Sequence, residues 1–241
     1  MPFTGSSLGK KQQVAEMFNR IAGRYDFMNR FLSGGIDSWW RKKAVKELAD
    51  LHPQHILDVA TGTGDVALLM NRYLQPEKIT GIDISEKMLE LGRRKIEQSG
   101  LSAKIFLQTG DSESIPFPDN QFDAVTVAFG VRNFENLEKG LAEMNRVLRP
   151  GGKLVVLEFS KPKKGFRTFY HIYLRMIAPR IAALVSRNRK AYEYLNESVL
   201  AFPEGQDFLQ IMQKKGFIGV YLKTLSFCIC TIYVGKKPVD G

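Results

Sequence analysis

Only two of the 241 residues are cysteine, Cys228 and Cys230. That scarcity excludes a disulfide-built scaffold and a four-cysteine zinc site. One residue apart in a β-rich run, the two are expected on one face of a strand as ordinary buried thiols. Histidine is scarce as well, at three residues. His52 and His55 form a spaced pair far in sequence from the acids, so no metal site is expected. No apolar run approaches the roughly 20 residues that a membrane span needs. The opening Met1-Pro2-Phe3-Thr4-Gly5-Ser6-Ser7-Leu8-Gly9 lacks the apolar core of a secretory signal. A cytoplasmic, soluble chain is therefore expected. Internal repeats and low-complexity linkers are absent, and 44% hydrophobic with 25% charged residues excludes disorder. Residues 1–241 read as a single α/β domain.

What the chain does have is an uneven excess of positive charge. The net charge is +10. Nine basic residues and no acid lie between Lys161 and Lys190, and the other 211 residues carry 26 bases against 25 acids. A general nucleic-acid binder need not concentrate its excess in one segment, so no nucleic-acid partner is expected. Within that segment Phe166, Phe169, Tyr170, Tyr173, Leu174 and Ile177 share one helical face. A basic helical insertion over 161–205 is expected, suited to an anionic membrane surface on the inner face of the cell membrane. The alternative is a core-packing helix with solvated charges.

Elsewhere, apolar residues at three- and four-residue steps place a helix from about Val14 to Phe31, broken near Gly23. A second helix runs from Trp39 to Leu51, and together they make an N-terminal helical cap over 14–51. Short apolar runs then alternate with helical ones. Strands are expected at His55–Ala60, Lys78–Ile84, Ala103–Leu107, Phe122–Phe129 and Lys153–Phe159, the last entered by a tight turn at Arg149-Pro150-Gly151-Gly152. Two β-rich runs, Phe217–Leu225 and Phe227–Gly235, are separated only by Ser226 and must pair antiparallel. The fold class is α/β: a Rossmann-like doubly wound sheet of about seven strands with an antiparallel edge pair.

Ligands of such sheets sit at the carboxyl ends of the strands. Strand one ends in Asp58-Val59-Ala60-Thr61-Gly62-Thr63-Gly64-Asp65, strand two in Asp83, and Asp111-Ser112 follow strand three. Gly62-x-Gly64-x-x-Ala67, with Asp83 21 residues beyond Gly62, formally matches a dinucleotide fingerprint. A diphosphate on this turn would face Asp58 and Asp65, with no Lys or Arg inside the turn. At an effective dielectric near 20, one such carboxylate ~4 Å from a phosphate costs about 4 kcal/mol. S-adenosylmethionine, with a sulfonium, an ammonium and no phosphate, fits better. Asp83 would take the ribose hydroxyls, and Asp111 with Ser112 the adenine edge. Gly62 and Gly64 would admit the methionyl part, with Asp58 or Asp65 near its ammonium. Asp65 could equally be a helix cap.

The stretch Asp58 to Asp65 resembles the first motif of class I S-adenosylmethionine-dependent methyltransferases, and Leu148-Arg149-Pro150-Gly151-Gly152 their late turn motif. Three further stretches narrow the resemblance: Phe18-Asn19-Arg20-Ile21-Ala22-Gly23-Arg24-Tyr25-Asp26-Phe27-Met28-Asn29 with Gly35-Ile36, Phe129-Gly130-Val131-Arg132-Asn133-Phe134, and Leu157-Glu158-Phe159-Ser160-Lys161-Pro162. Together they resemble the menaquinone and ubiquinone biosynthesis C-methyltransferases. That resemblance implies Thr63, Asp83, Asp111 and Ser112 as cofactor positions. The family commonly reads Gly-Gly-Thr-Gly-Asp in its central motif, where this chain has Thr61 in place of the first glycine. It also implies a polyprenylated quinol substrate, demethylmenaquinol or a methoxybenzoquinol, methylated on a ring carbon without a metal.

Ring attack needs the quinol carbon ~3–3.5 Å from the methyl and a stabilised phenolate. Arg132 and Asn133, after strand four, are placed for that: the arginine to lower the cost of the phenolate, the asparagine to orient a hydroxyl. The alternative for Arg132 is a surface ion pair with Glu135 or Asp123. Tyr25 could close over donor or ring. His171, in the insertion, is not taken as the base. A nicotinamide-dinucleotide dehydrogenase, a methyltransferase for another small molecule and a non-catalytic S-adenosylmethionine- or RNA-binding protein remain the rival readings. The sequence leaves the oligomeric state open, a homodimer included.

Overall fold

A computed structural model describes residues 9–161, 194 and 197–239. Most of the basic insertion, with its aromatic face and His171, lies outside the described residues. The chain opens with helix α1 (Lys10–Leu32), α2 (Asp37–Lys46) and a 3-10 turn (Ala49–Leu51). Then follow β1 (His55–Val59), α3 (Asp65–Leu74), β2 (Lys78–Asp83), α4 (Glu86–Gln98), β3 (Ile105–Thr109), β4 (Phe122–Ala128), a 3-10 turn (Val131–Asn133), α5 (Leu137–Val147) and β5 (Leu148–Phe159). After the insertion come α6 (Gln206–Lys214), β6 (Ile218–Leu225), a 3-10 turn (Ser226–Cys228) and β7 (Cys230–Lys236).

The seven strands lie in the order β3-β2-β1-β4-β5-β7-β6. The first five are parallel, β7 pairs antiparallel with β5, and β6 antiparallel with β7. The expected antiparallel pair therefore exists, with the last strand slotted between β5 and the edge strand β6. Central strands are buried on both faces, hence their continuous apolar runs. Leu57 and Val59 face a core built with Leu141, Met144 and Phe208, while Ile56 faces Ala67, Met70, Leu89 and Ile96. So α5 and α6 cover one face, and α2, α3 and α4 the other. The order reverses between β1 and β4, which puts the ligand crevice above those two strands.

Several local expectations are corrected. Helix α1 is continuous through Gly23 and begins at Lys10, before Val14. A single exposed glycine costs a helix only about 1 kcal/mol, and Val14, Met17 and Ile21 are packed into their own small core. Helix α2 stops at Lys46, short of Leu51, where the chain tightens into the 3-10 turn. Arg149 to Gly152 do not precede the strand but lie within β5, as an irregularity opposite Phe122–Ala124. Pro150 lacks an N–H and Gly151 has φ +79°, so the ladder skips there. Cys228 is not on the strand face with Cys230: it sits in the turn with φ +70°, while Cys230 is buried at the start of β7. Among the described residues no helix is long and apolar enough to cross a membrane.

Candidate functional site

The chain leaves β1 through a turn that demands left-handed backbone. Ala60, Gly62 and Gly64 have φ of +54°, +58° and +77°, the region where glycine is unpenalised. The turn is anchored by Thr61 N donating to Ile82 O at 3.0 Å and Gly64 N to Thr61 O at 3.0 Å. Neighbouring backbone closes in tightly. A Cβ on Gly130 would come within 2.6 Å of the Ala60 Cβ, and one on Gly81 within 2.8 Å of Thr61 Oγ1. Thr61, where the resembled family has glycine, is thus accommodated by Gly81 across the turn.

Above the turn lies a cavity of about 940 Å³, open to solvent. The structure brings Asp58, Gly62, Thr63, Asp83, Asp111, Ser112, Asn133 and Tyr25 to its lining. Gly64 sits beside them as the residue preceding α3. Asp83 accepts from Gly62 N on Oδ2 and from Ser85 N on Oδ1, both at 2.8 Å; burial pushes its pKa up against those bonds. Asp111 accepts from Glu113 N at 2.9 Å and holds Lys11 of α1 at 2.8 Å. Tyr25 meets Phe18 edge-on, with ring centroids 5.7 Å apart.

Asp58 is 1% exposed and accepts from the hydroxyls of Thr61 and Thr126, each at 2.6 Å. Burial outweighs those bonds and lifts its pKa from 3.8 to about 6. Between about pH 4 and 6 the folded carboxyl keeps a proton that the unfolded chain has lost, so its contribution to stability falls as pH rises through that window. At 1.36 kcal/mol per unit the full difference is about 3 kcal/mol. Replacing Asp58 by Asn should remove it. Chemical unfolding of wild type and variant from pH 3.5 to 7.5 should show the variant gaining relative stability up to about pH 6, then holding level. A pH-independent difference would mean that Asp58 titrates normally.

The electrostatics around the turn differ from the sequence reading, which found no cation there. Arg41 of α2 reaches Asp65 at 3.2 Å and Asp37 at 2.8 Å. Lys95 of α4 reaches Asp65 at 2.8 Å and Asp26 of α1 at 2.5 Å. Asp26 also accepts from the Thr63 hydroxyl at 2.7 Å. Asp26, Asp37, Asp58, Asp65 and Asp83 still outnumber the two cations, so the turn stays net acidic, by less than its own residues imply. The basic residues in the lining, Lys11 and Arg41, are each already held by two carboxylates. Asp65 is then neither a simple helix cap nor a free carboxylate.

Arg132 is not among the residues lining the cavity. Its Nη1 donates to Glu158 Oε1 at 2.5 Å and to Phe129 O at 2.6 Å, and its guanidinium lies 5.3 Å from the Phe159 ring centroid. The surface pairing with Glu135 or Asp123 is overturned, since Asp123 is held by Arg149 and Arg132 is buried with Glu158. Asn133, 9% exposed, does line the cavity, and its Oδ1 has no hydrogen-bond partner. Sequence reasoning missed Lys11, Asp26, Arg41, Lys95 and Glu158 as parts of this site. Asp26 and Glu158 stood inside quoted motifs, whereas the others belong to helices with no local signal of their charge partners.

The profile of the ubiE/COQ5 methyltransferase family matches residues 7–237. A demethylmenaquinone methyltransferase from Bacteroides fragilis is 47% identical over 234 residues, 96% of this chain and 96% of that protein. A ubiquinone/menaquinone biosynthesis C-methyltransferase UbiE from Geotalea daltonii is 46% identical over 230 residues, covering 95% and 97%. Among solved structures, a SAM-dependent methyltransferase, possible histamine N-methyltransferase, from Thermotoga maritima superposes with a TM-score of 0.65. It is 18% identical and covers 92% of this chain and 99% of its own. That last similarity concerns the fold alone.

Proposed function

The chain belongs to the ubiE/COQ5 methyltransferase family, and from that membership we propose the reaction in full: a methyl group passes from S-adenosylmethionine to a ring carbon of a polyprenylated quinol, converting demethylmenaquinol to menaquinol. The name of the Geotalea daltonii relative favours a second substrate, the prenylated methoxybenzoquinol of ubiquinone biosynthesis. Residues 1–241 act in this reading as one domain.

The observation that carries the donor assignment is the charge of the cavity. Asp58, Asp83 and Asp111 line it, while both lining cations are committed to carboxylates. A ligand bearing positive charge and no phosphate fits that balance. Asp83 would hold the ribose hydroxyls, because a carboxylate has about four acceptor sites and the bonds from Gly62 and Ser85 do not fill them. Asp111 and Ser112 would take the adenine edge, with Gly62, Thr63 and Gly64 along the methionyl part. When bound, the donor supplies a methyl group on a sulfonium. Tyr25, Phe18, Phe129 and Phe134 give the lining an aromatic side, suited to a cation and to a planar ring. Asn133 would orient a ring hydroxyl.

The deciding experiment supplies purified enzyme with labelled donor and either demethylmenaquinol or a prenylated methoxybenzoquinol, reading product mass and the methylated atom. Ring-carbon methylation of the first is the expected result; methylation of neither quinol, or on oxygen, would overturn the reading. Contact of the basic insertion with anionic membrane belongs to the same proposal, on the strength of its charge and its aromatic spacing. Salt-sensitive flotation with anionic liposomes is expected, and its absence would remove that part.

A further inference from the structure

Asp26 of α1 stands at the end of a continuous run of ion pairs. Asp26 meets Lys95 at 2.5 Å, Lys95 meets Asp65 at 2.8 Å, Asp65 meets Arg41 at 3.2 Å and Arg41 meets Asp37 at 2.8 Å. Among the described residues, three carboxylates thus share two cations, and the run is one positive charge short. Asp26, Asp65 and Arg41 line the cavity; Lys95 and Asp37 do not. The Arg41 side chain is buried and spent on Asp65 and Asp37, whereas those of Asp26 and Asp65 are 29% and 24% exposed. The missing charge is therefore missing on the side that meets the cavity.

Thr63 joins this run to the glycine turn, and its hydrogen bonds say what kind of group is missing. Its buried hydroxyl donates to Asp26 Oδ1 at 2.7 Å and accepts from Lys95 Nζ at 3.0 Å. A hydroxyl has one proton and two lone pairs. The proton is committed to Asp26 and one lone pair to Lys95, so Thr63 keeps only an acceptor for a ligand. An acceptor beside a surplus carboxylate suits a cation that carries N–H groups. Of the two positive groups of S-adenosylmethionine, the sulfonium has no hydrogen to donate and the α-ammonium has three. Asp58, the acid of the turn nearest in sequence, is closed to that role: it is 1% exposed, with its oxygens on the hydroxyls of Thr61 and Thr126. We propose that Asp26, together with Thr63, binds the α-ammonium of the methyl donor, which completes the charge of the network and makes the cap helix α1 part of donor recognition. The inference rests on the donor assignment and adds to it a residue from outside the strand ends.

The test is titration calorimetry with S-adenosylhomocysteine, which keeps the ammonium and lacks the sulfonium charge, and with its deaminated and decarboxylated analogues. Asp26→Asn keeps the shape of the side chain and removes the charge, and Lys95 retains Asp65 and Thr63 as partners. The variant should bind S-adenosylhomocysteine at least about tenfold more weakly than wild type. The loss should persist with the decarboxylated analogue and vanish with the deaminated one, because the contact no longer exists to be lost. Thr63→Val, which leaves Asp26 in place, should show a smaller loss with the same dependence on the amine. Equal losses on all three ligands would make Asp26 a strut that merely seats α1, and would overturn the proposal. Unchanged affinity for S-adenosylhomocysteine would do the same, and so would a loss that vanishes only when the carboxylate is missing. Failure of the donor assignment looks different: wild type itself would bind none of the three.

Discussion

Replacing Asp83 with alanine is expected to weaken S-adenosylmethionine binding by at least a hundredfold or so, as measured by titration calorimetry. The two Asp83 oxygens each take one backbone N–H, from Gly62 and from Ser85. Those bonds fix its orientation above the end of β2 without filling the acceptor positions that ribose hydroxyls would use. Hydrogen bonds to a charged acceptor are worth about 1.5–3 kcal/mol each, so losing two exceeds a hundredfold in affinity. Alanine also strands the two N–H donors at a cost to the fold of about 1–3 kcal/mol. Asp83→Asn separates the effects, since the amide keeps one acceptor and the shape. It should bind more weakly than wild type and more tightly than alanine, with most of the stability retained. An alanine variant that folds and binds the donor normally would remove Asp83 from the site.

That prediction could be framed from sequence, because its parts are local. Asp58, Asp83 and Asp111 each follow or end an apolar run, and a parallel sheet brings the carboxyl ends of its strands to one rim. The glycine turn is equally visible, since Gly62 and Gly64 stand where the backbone must go left-handed. What stayed hidden is what depends on contacts far apart in the chain. Arg41 and Lys95 reach Asp65 from α2 and α4 across 24 and 30 positions, and no periodicity announces such a meeting. The turn at Ser226–Cys228 was hidden for another reason. Three consecutive non-glycine residues there adopt positive φ, against their own preference. Trp40 Nε1 donates to the Ser226 hydroxyl at 2.8 Å, and β7 must double back between β5 and β6, so tertiary geometry overrides propensity. At Gly23 the same override works in the opposite direction, and a helix runs through a residue that favours a break.

The second large effect is expected at Glu158, which the strand pattern presents as one more residue of β5. It is fully buried and bonded to Arg132, and burial pushes its pKa up while the guanidinium opposes that push. Removing one partner of such a pair leaves the other charge stranded, and the loss is typically about 3–5 kcal/mol. Glu158→Ala should therefore lower the urea midpoint sharply. Arg132→Ala should do so too, which means that a lower turnover in that variant would not by itself show a role in chemistry. The informative variant replaces both, Arg132→Met with Glu158→Leu, so that no charge is left buried and unpaired. Apolar replacement of a buried pair commonly restores most of the stability, less here because Phe129 O loses its donor and the backbone N–H of Phe159 loses its acceptor. If the double variant folds well, binds donor normally and methylates the quinol at the wild-type rate, Arg132 only holds the strand rim together. If it folds and binds donor while quinol turnover collapses, the pair sits where it does for the acceptor. That second outcome is the one expected, because Arg132 is followed directly by Asn133, which lines the cavity with its Oδ1 unpartnered.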